Sequence, residues 1–430
     1  MKVGICTLGC KVNTYESEYV ASLLKKNNYE IGDFNDICDI YIINTCTVTN
    51  TSDSKSRKMI RKAKRNNPKS CVVAMGCFIE SSKKDGLSDF KEIDIAIGNK
   101  DKSKIVELIN KYFEDKKRID DVFEELDDDF EDMFIETYNT RTRAFVKVQD
   151  GCENFCSYCI IPKVRGKCRS KKLDVALKEI ETLVNNGYKE IVLTGIHTGN
   201  YGVDIGTNFA ALLREVVKIK DLKRLRISSI EATELTDEVI DLIQKEDKIV
   251  NHFHIPIQSG SDHVLKLMNR KYDIDYFAKK IERIRAVKKD VSITTDIIAG
   301  HPGETESEFL KVIENVKKIG FTKLHVFPYS VRKGTPSAKL EQIDEKIKKK
   351  HTDILLELSK DLEISYMKKF IGSKLDVLIE RQKDGYSYGH TTNYLEVKIK
   401  GNFEHSSLKK ANIKEIEYPY CIAEVIDNEF

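Results

Sequence analysis

Short β-branched apolar runs alternate with stretches of helical apolar spacing over roughly the first 112 residues. Val3 to Thr7, Asp39 to Ile43 and Cys71 to Met75 read as strands, and Thr14 to Lys26, Ser52 to Arg65 and Lys102 to Phe113 as helices. That alternation predicts a parallel α/β domain. A second series begins near Arg143, with strand-like runs at Ala144 to Val148, Glu190 to Leu193, Arg224 to Ser228, His252 to Ile255, Ser292 to Ile297 and Thr322 to Phe327. Helical stretches at Leu173 to Asn185, Phe209 to Ile219, Asp237 to Gln244, Tyr276 to Val287 and Glu306 to Ile319 fall between them, which predicts a partial (β/α)6 barrel. After a lysine-rich helical connection (Asp344 to Met367) the period drops to two. Leu375 to Ile379, Gly385 to Gly389, Leu395 to Ile399, Ile413 to Ile416 and Cys421 to Val425 then predict a small antiparallel β-barrel of the OB-like kind. The expected division is 1–115, an acidic linker 116–138, 139–366 and 367–430.

Charge changes this picture only locally. Lys+Arg 72 nearly balance Asp+Glu 69, so net charge alone predicts no nucleic-acid partner. Two basic runs without acids, Lys55 to Lys69 and Lys163 to Lys172, either track phosphates or form solvated helix faces. Ten acids between Ile119 and Glu136 repel one another, and this stretch is expected to be a mobile or peripheral linker. No apolar run approaches the roughly 18–20 residues of a membrane span. Met1-Lys2-Val3-Gly4-Ile5-Cys6 reads as a strand and not as a signal peptide, so a cytoplasmic protein is expected.

Eleven cysteines in a chain without an export signal argue for metal ligands and buried thiols over disulfides. Gly151-Cys152-Glu153-Asn154-Phe155-Cys156-Ser157-Tyr158-Cys159 has the spacing C-x3-C-x2-C, with no fourth ligand close behind. Structural zinc normally takes four ligands, and iron–sulfur clusters usually have four cysteines. Three therefore leave one iron of a cubane open to a substrate or cofactor; a zinc knuckle and unrelated structural thiols are the alternatives. The motif directly follows the first barrel strand, at the end where barrel chemistry sits. Gly195, Ser229, Glu231, Gln258 and Asp296 stand at the other strand ends, together with His197, His252, His254 and His301, which are expected to be structural or pocket histidines. In the first domain Cys10, Cys46 and Cys77 each follow a strand, and such loops gather at one sheet edge. Gly9 and Gly76 let the backbone approach whatever these thiols hold, which reads as a second three-cysteine cluster site or, alternatively, as unrelated loop thiols. Cys6, Cys38, Cys71 and Cys421 lie in or just before strands and are expected to be inert. Tyr386, Tyr388, Tyr394 and Tyr420 could stack on unpaired bases, although the last segment carries as many acids as bases.

Taken together the motifs resemble the methylthiotransferase family of radical S-adenosylmethionine (radical SAM) enzymes over nearly the whole chain. The resemblance implies a Rossmann-like methylthiotransferase domain, a radical SAM barrel and a TRAM domain. It implies two [4Fe-4S] clusters, one on Cys152, Cys156 and Cys159 with SAM on its open iron, the other on Cys10, Cys46 and Cys77. Gly195, Ser229, Glu231, Gln258 and Asp296 become SAM-binding candidates. Thr7-Leu8-Gly9-Cys10-Lys11-Val12-Asn13 and Asn44-Thr45-Cys46-Thr47-Val48 are similar to the branch acting on N6-threonylcarbamoyladenosine in tRNA. The isopentenyladenosine branch tends to have glutamine and methionine at 11 and 12, and the ribosomal-protein branch, the nearest competitor, tends to have proline at 11. The implied reaction is radical insertion of a methylthio group at C2 of the modified adenosine beside the anticodon. One SAM would donate the methyl group and a second would serve as the 5′-deoxyadenosyl radical source. Expected partners are the anticodon stem-loop and a flavodoxin- or ferredoxin-like electron donor. Cys168 departs from the usual residue of the family and is assigned no role. A non-catalytic iron–sulfur carrier and an RNA-binding protein with structural zinc remain the readings from other classes.

Overall fold

Runs such as Ile-Tyr-Ile-Ile-Asn-Thr are buried at every position, as befits a parallel strand covered by helices on both faces. The computed structural model describes every residue except 83–86, 123–128, 139–140 and 427–430, and residue 88 by its backbone only. The first domain comprises β1 (Lys2–Thr7), α1 (Lys11–Lys26), β2 (Glu30–Gly32), β3 (Ile40–Thr45), α2 (Asn50–Asn66), β4 (Cys71–Gly76), α3 (Cys77–Ser82), β5 (Ile95–Ile97), α4 (Ile105–Asp115) and β6 (Ile119–Asp121). Its parallel sheet has the order β2-β1-β3-β4-β5-β6. The three-residue strands β2, β5 and β6 are too short to show a pattern in the sequence, and β6 carries the sheet past the expected boundary at 115.

The barrel starts with β7 (Arg143–Lys147), β8 (Gln149–Asp150), α5 (Ile161–Arg165), β9 (Arg169–Ser170), α6 (Leu173–Asn185), β10 (Glu190–Thr194), α7 (Phe209–Val216) and β11 (Arg224–Ile227). It continues with α8 (Asp237–Lys245), β12 (His252–His254), α9 (Asp262–Leu267), α10 (Ile274–Val287), β13 (Ser292–Ala299), α11 (Glu306–Ile319) and β14 (Lys323–Pro328). Strands β7, β10 and β11 form one parallel sheet and β12, β13 and β14 another. A parallel bridge between Leu225 and Ile249 joins them into an open barrel of six strands in chain order. Side-chain N-caps start several of the outer helices, with Asn208, Thr236, Asp273 and Thr305 each accepting from a backbone N–H of the first turn.

Helix α12 (Glu345–Lys368) leads into β15 (Lys374–Lys383), β16 (Tyr386–Thr391), β17 (Glu396–Lys400), β18 (Leu408–Glu417) and β19 (Tyr420–Val425). These five close into a barrel of order β15-β16-β17-β19-β18. On its outside Tyr388 meets Tyr420 edge to face at 5.3 Å, with Arg381 over Tyr388 and Lys398 over Tyr386. Tyr394 departs from the base-stacking expectation, because its ring stacks on His252 and His390 against the larger barrel. Among the described residues no helix is long and apolar enough to cross a membrane.

Two expectations from charge are corrected. The acidic stretch is not peripheral over its described C-terminal part, since Met133, Ile135 and Tyr138 are buried in one core with Tyr15 and Tyr19 of α1 and the barrel strands. Apolar residues set among the acids bury, and the backbone they carry inward is satisfied. Tyr15 and Lys171 donate to the Met133 carbonyl, and the Ile135 N–H donates to Glu179. Residues 123–128 of the acidic stretch lie outside the described residues. The basic run from Lys163 alternates, with Lys163, Lys167 and Lys172 exposed and Arg165, Arg169 and Lys171 buried. Half of it is thus interior wiring, neither a phosphate track nor a solvated face. The other run, on α2, is a largely solvated helix face over buried Ser56, Ile60 and Ala63.

Candidate active site

Cys10 caps α1 just after β1, Cys46 follows β3, and Cys77 opens α3 directly after β4. The parallel sheet brings these three strand ends to one edge. Cys10 and Cys77 both lie close enough to Cys46 to oppose its ionisation, although burial is the main reason its thiol is pushed up to about 11. Gly9 adopts φ +98, and a Cβ there would stand 2.8 Å from Cβ of Cys46, so only glycine lets the two loops touch. Asn99 donates to the Cys77 sulfur at 3.5 Å and to the Val164 carbonyl at 2.7 Å.

Cys152, Cys156 and Cys159 form a second group, at the mouth of the barrel after β8. Burial first, then Cys156 and Cys152, push the Cys159 thiol up to about 12. Gly151 turns the chain into this loop at φ +73, and a Cβ there would meet the Lys167 carbonyl oxygen at 1.7 Å. Gly151→Ala is therefore expected to cost about 2–4 kcal/mol and to lower iron per chain, checked by thermal unfolding and iron analysis. Arg270 donates to the Cys156 sulfur at 3.5 Å and contacts the Glu231 carboxylate. His197 lies beside Cys152 and Glu234, where bonds to both outweigh burial and raise its pKa to about 11.

Helix α5 ties the two groups together. It begins two residues after Cys159, packs Ile160 and Val164 on Cys77, and ends at Arg165. The buried Arg165 guanidinium donates to Glu16 and Asn13 of α1 and to Asp150 of β8 at 2.9–3.0 Å. Its charge reaches Cys10 and Cys77, while its Nε has no hydrogen-bond partner. Neither Arg165 nor Arg270 was visible as a site residue in the sequence: Arg165 lies in a basic run and reads as solvated, and Arg270 stands far along the chain from the cysteine it meets.

The SAM-binding candidates separate. Glu231 shares a small cleft with Cys156. Gly195 lies against Gln149, where a Cβ would meet the Gln149 side chain. Asp296 pairs with His254 at 3.2 Å, and its carbonyl accepts from the Gln258 backbone at 2.9 Å. Ser229 is half-buried after β11. His252 and His254 both reach the Thr294 hydroxyl, and His301 reaches Ser337, as expected of pocket histidines. Burial, then the positive charges of Arg226, His254, Lys11 and His325, pushes the His252 pKa well down. Cys38, Cys71 and Cys421 are buried, Cys6 is half-buried, and Cys168 accepts from Gln149 and Asn200.

Does this donor set fit a cluster? Burial pushes the Cys10, Cys46 and Cys159 thiols up, and an arginine stands at each triad, Arg165 by Cys10 and Cys77 and Arg270 by Cys156. Among the described residues no group of three His, Cys, Asp or Glu side chains is drawn together tightly enough for a single ion. A cubane takes each thiolate on a different iron and needs a wider triangle. The orphaned Arg165 Nε beside Cys10 and Cys77 suits an anionic group there.

Comparison with known proteins agrees with this geometry. Residues 146–316 match the radical SAM superfamily, and residues 2–98 match the uncharacterized protein family UPF0004. The threonylcarbamoyladenosine tRNA methylthiotransferase MtaB of Bacillus subtilis is 42% identical over 97% of this chain and 95% of its own. The corresponding protein of Thermotoga maritima is 36% identical over 99% and 98%. Among solved structures the radical SAM methyltransferase TsrM of Kitasatospora setae shares the fold, with TM-score 0.57 over 78% of this chain and 75% of that one at 14% identity. The chain belongs to the radical SAM methylthiotransferase family, in the branch of the threonylcarbamoyladenosine tRNA enzymes.

Proposed function

We propose that this chain places a methylthio group on C2 of N6-threonylcarbamoyladenosine beside the anticodon of tRNA. The observation that carries the reading is the pair of thiol triads, one on each domain, joined by α5 and Arg165. Cys152, Cys156 and Cys159 would hold one [4Fe-4S] cluster with SAM, and Cys10, Cys46 and Cys77 the other. When bound, these groups supply the radical oxidant for an unactivated C–H bond and the sulfur and methyl that replace its hydrogen, with two SAM used per turnover.

The chain's own residues do the rest. Arg270 neutralises charge at Cys156 and orients Glu231, which stands where it can meet SAM. Gly195, Ser229, Gln258 and Asp296 are proposed SAM contacts on their strand-end positions alone. Buried Arg165 fixes one triad relative to the other and offsets negative charge at Cys10 and Cys77. Tyr386, Tyr388 and Tyr420, with Lys398 over the first ring and Arg381 over the second, form a stacking surface suited to the anticodon stem-loop. We assign electron supply to a flavodoxin- or ferredoxin-like partner and the work to the cytoplasm.

The test is mass spectrometry of tRNA nucleosides from a strain lacking its own methylthiotransferases and expressing this chain. 2-Methylthio-N6-threonylcarbamoyladenosine is the expected new nucleoside. A methylthio group on a different adenosine would overturn the substrate and leave the chemistry. No change in any nucleoside, with both clusters loaded, would move the target to a ribosomal protein.

A further inference from the structure

Inside the barrel lies a cavity of about 310 Å³ whose walls come from all three parts of the chain. Lys11 enters from the start of α1, Arg226, His252, His254 and His325 from the barrel strands, and Tyr394 from the C-terminal barrel. Positive charge is in surplus here. Arg226, only 2% exposed, donates from Nε to Glu190 at 2.7 Å, and its guanidinium lies 4.6 Å over the Tyr394 ring. Both of its terminal nitrogens are nevertheless buried without a hydrogen-bond partner. Lys11 makes no ion pair with any described residue. The carboxylates on the wall are already engaged, Glu363 by Lys323 at 2.8 Å and Glu396 by Arg381 at 3.3 Å.

Buried guanidinium nitrogens without acceptors are rare because they forfeit hydration and gain nothing. A ligand carboxylate would supply two oxygens in the plane that such a group prefers. We propose that this cavity receives the threonyl carboxylate of the substrate, with Lys11 and Arg226 as the residues that read it. The inference rests on the substrate assignment above and deepens it. On adenine a single ring nitrogen separates C2 from the carbon that bears N6, so a C2 turned toward the Cys10 triad keeps the N6 substituent nearby. Lys11 is the next residue in the chain. A neutral, apolar N6 substituent in the same space would leave the buried Arg226 nitrogens unpaired and offer the more exposed Lys11 nothing, which is how a site rejects the wrong ligand.

The test uses two anticodon stem-loop RNAs of one sequence, one with threonylcarbamoyladenosine and one with its methyl ester, competing for the cluster-loaded enzyme. Wild type is expected to bind the acid about tenfold or more tightly. Lys11→Gln should bring the ratio to about threefold or less, and Lys11→Arg should keep most of it. A wild-type ratio near one, with the threonylcarbamoyl RNA still methylthiolated, overturns the carboxylate pocket and leaves the function standing. Turnover of an isopentenyladenosine RNA in place of the threonylcarbamoyl RNA overturns the substrate assignment and the pocket with it. An unaltered ratio in Lys11→Gln removes Lys11 from the pocket. Should that variant fail to fold, the comparison of acid and ester on wild type still decides.

Discussion

Replacing Cys77 with alanine is expected to reduce methylthiolated nucleoside below detection while reductive cleavage of SAM to 5′-deoxyadenosine continues. Cys156→Ala is expected to lose both. The two results differ because the thiols stand on different domains. Cys77 opens α3 at the edge of the first sheet, is 3% exposed, and shares its surroundings with Cys10, Cys46 and Arg165. Cys156 lies at the barrel mouth with Arg270 and Glu231. Iron should fall by about half in either variant if each triad holds one of two equal clusters. Cys71→Ala is the control. Cys71 sits in the same sheet, 1% exposed, with only a core role, so its loss should cost about 1 kcal/mol of stability and no iron. Wild-type product from Cys77→Ala would show that the triad of Cys10, Cys46 and Cys77 is not a cluster site.

How much of this could be read from the chain alone differs by element. Strands of five or six residues with β-branched side chains among them declared themselves, and so did cysteines placed just beyond them, because strand-end loops of a parallel sheet gather by construction. The sequence could not show that Arg165, Arg169 and Lys171 turn inward while their neighbours turn out. That alternation depends on Glu16, Asp150 and Glu179 arriving from elsewhere in the chain. Met133 and Ile135 were hidden by the acids around them for the same reason. Lys11 read as part of a motif, and only the packing of three parts of the chain around one lumen shows that it faces Arg226 and Tyr394. Tyr394 shows the limit of composition: an aromatic on a small β-barrel is as ready to stack on histidines, His390 of its own barrel and His252 of the neighbouring domain, as on a base.

Arg165→Met should lower stability by about 3–5 kcal/mol, the range for removing one partner from a buried ionic network. Methionine fills much of the same space, so the loss is electrostatic and not a cavity effect. Glu16 and Asp150 are both buried, and Arg165 Nη1 bridges them at 3.0 Å to each. Lys147 also touches both, at 3.0 and 2.6 Å, and Lys102 stands 3.6 Å from Glu16. Without Arg165 the two carboxylates keep these lysines, and Asp150 keeps Arg169 at 3.9 Å, but they lose the fork-shaped donor that joins them. Burial alone would raise both carboxyl pKa values; Arg165 leads the cations that outweigh it and hold both well below the usual range. The stability this contributes is present above the unfolded values, roughly 4, and is lost as pH falls through the depressed folded ones. The deficit of Arg165→Met relative to wild type, from urea unfolding, should accordingly be largest near neutral pH and shrink below about pH 4. Arg165→Lys, with the charge but not the fork, should fall between the two. Because the same guanidinium reaches Cys10 and Cys77, iron bound by the first domain should drop with stability in the Met variant and partly return in the Lys variant. A deficit under about 1 kcal/mol that does not change with pH would mean that the two domains are held by their shared apolar core around Tyr15, Met133 and Ile135, with the ionic cluster merely accommodated.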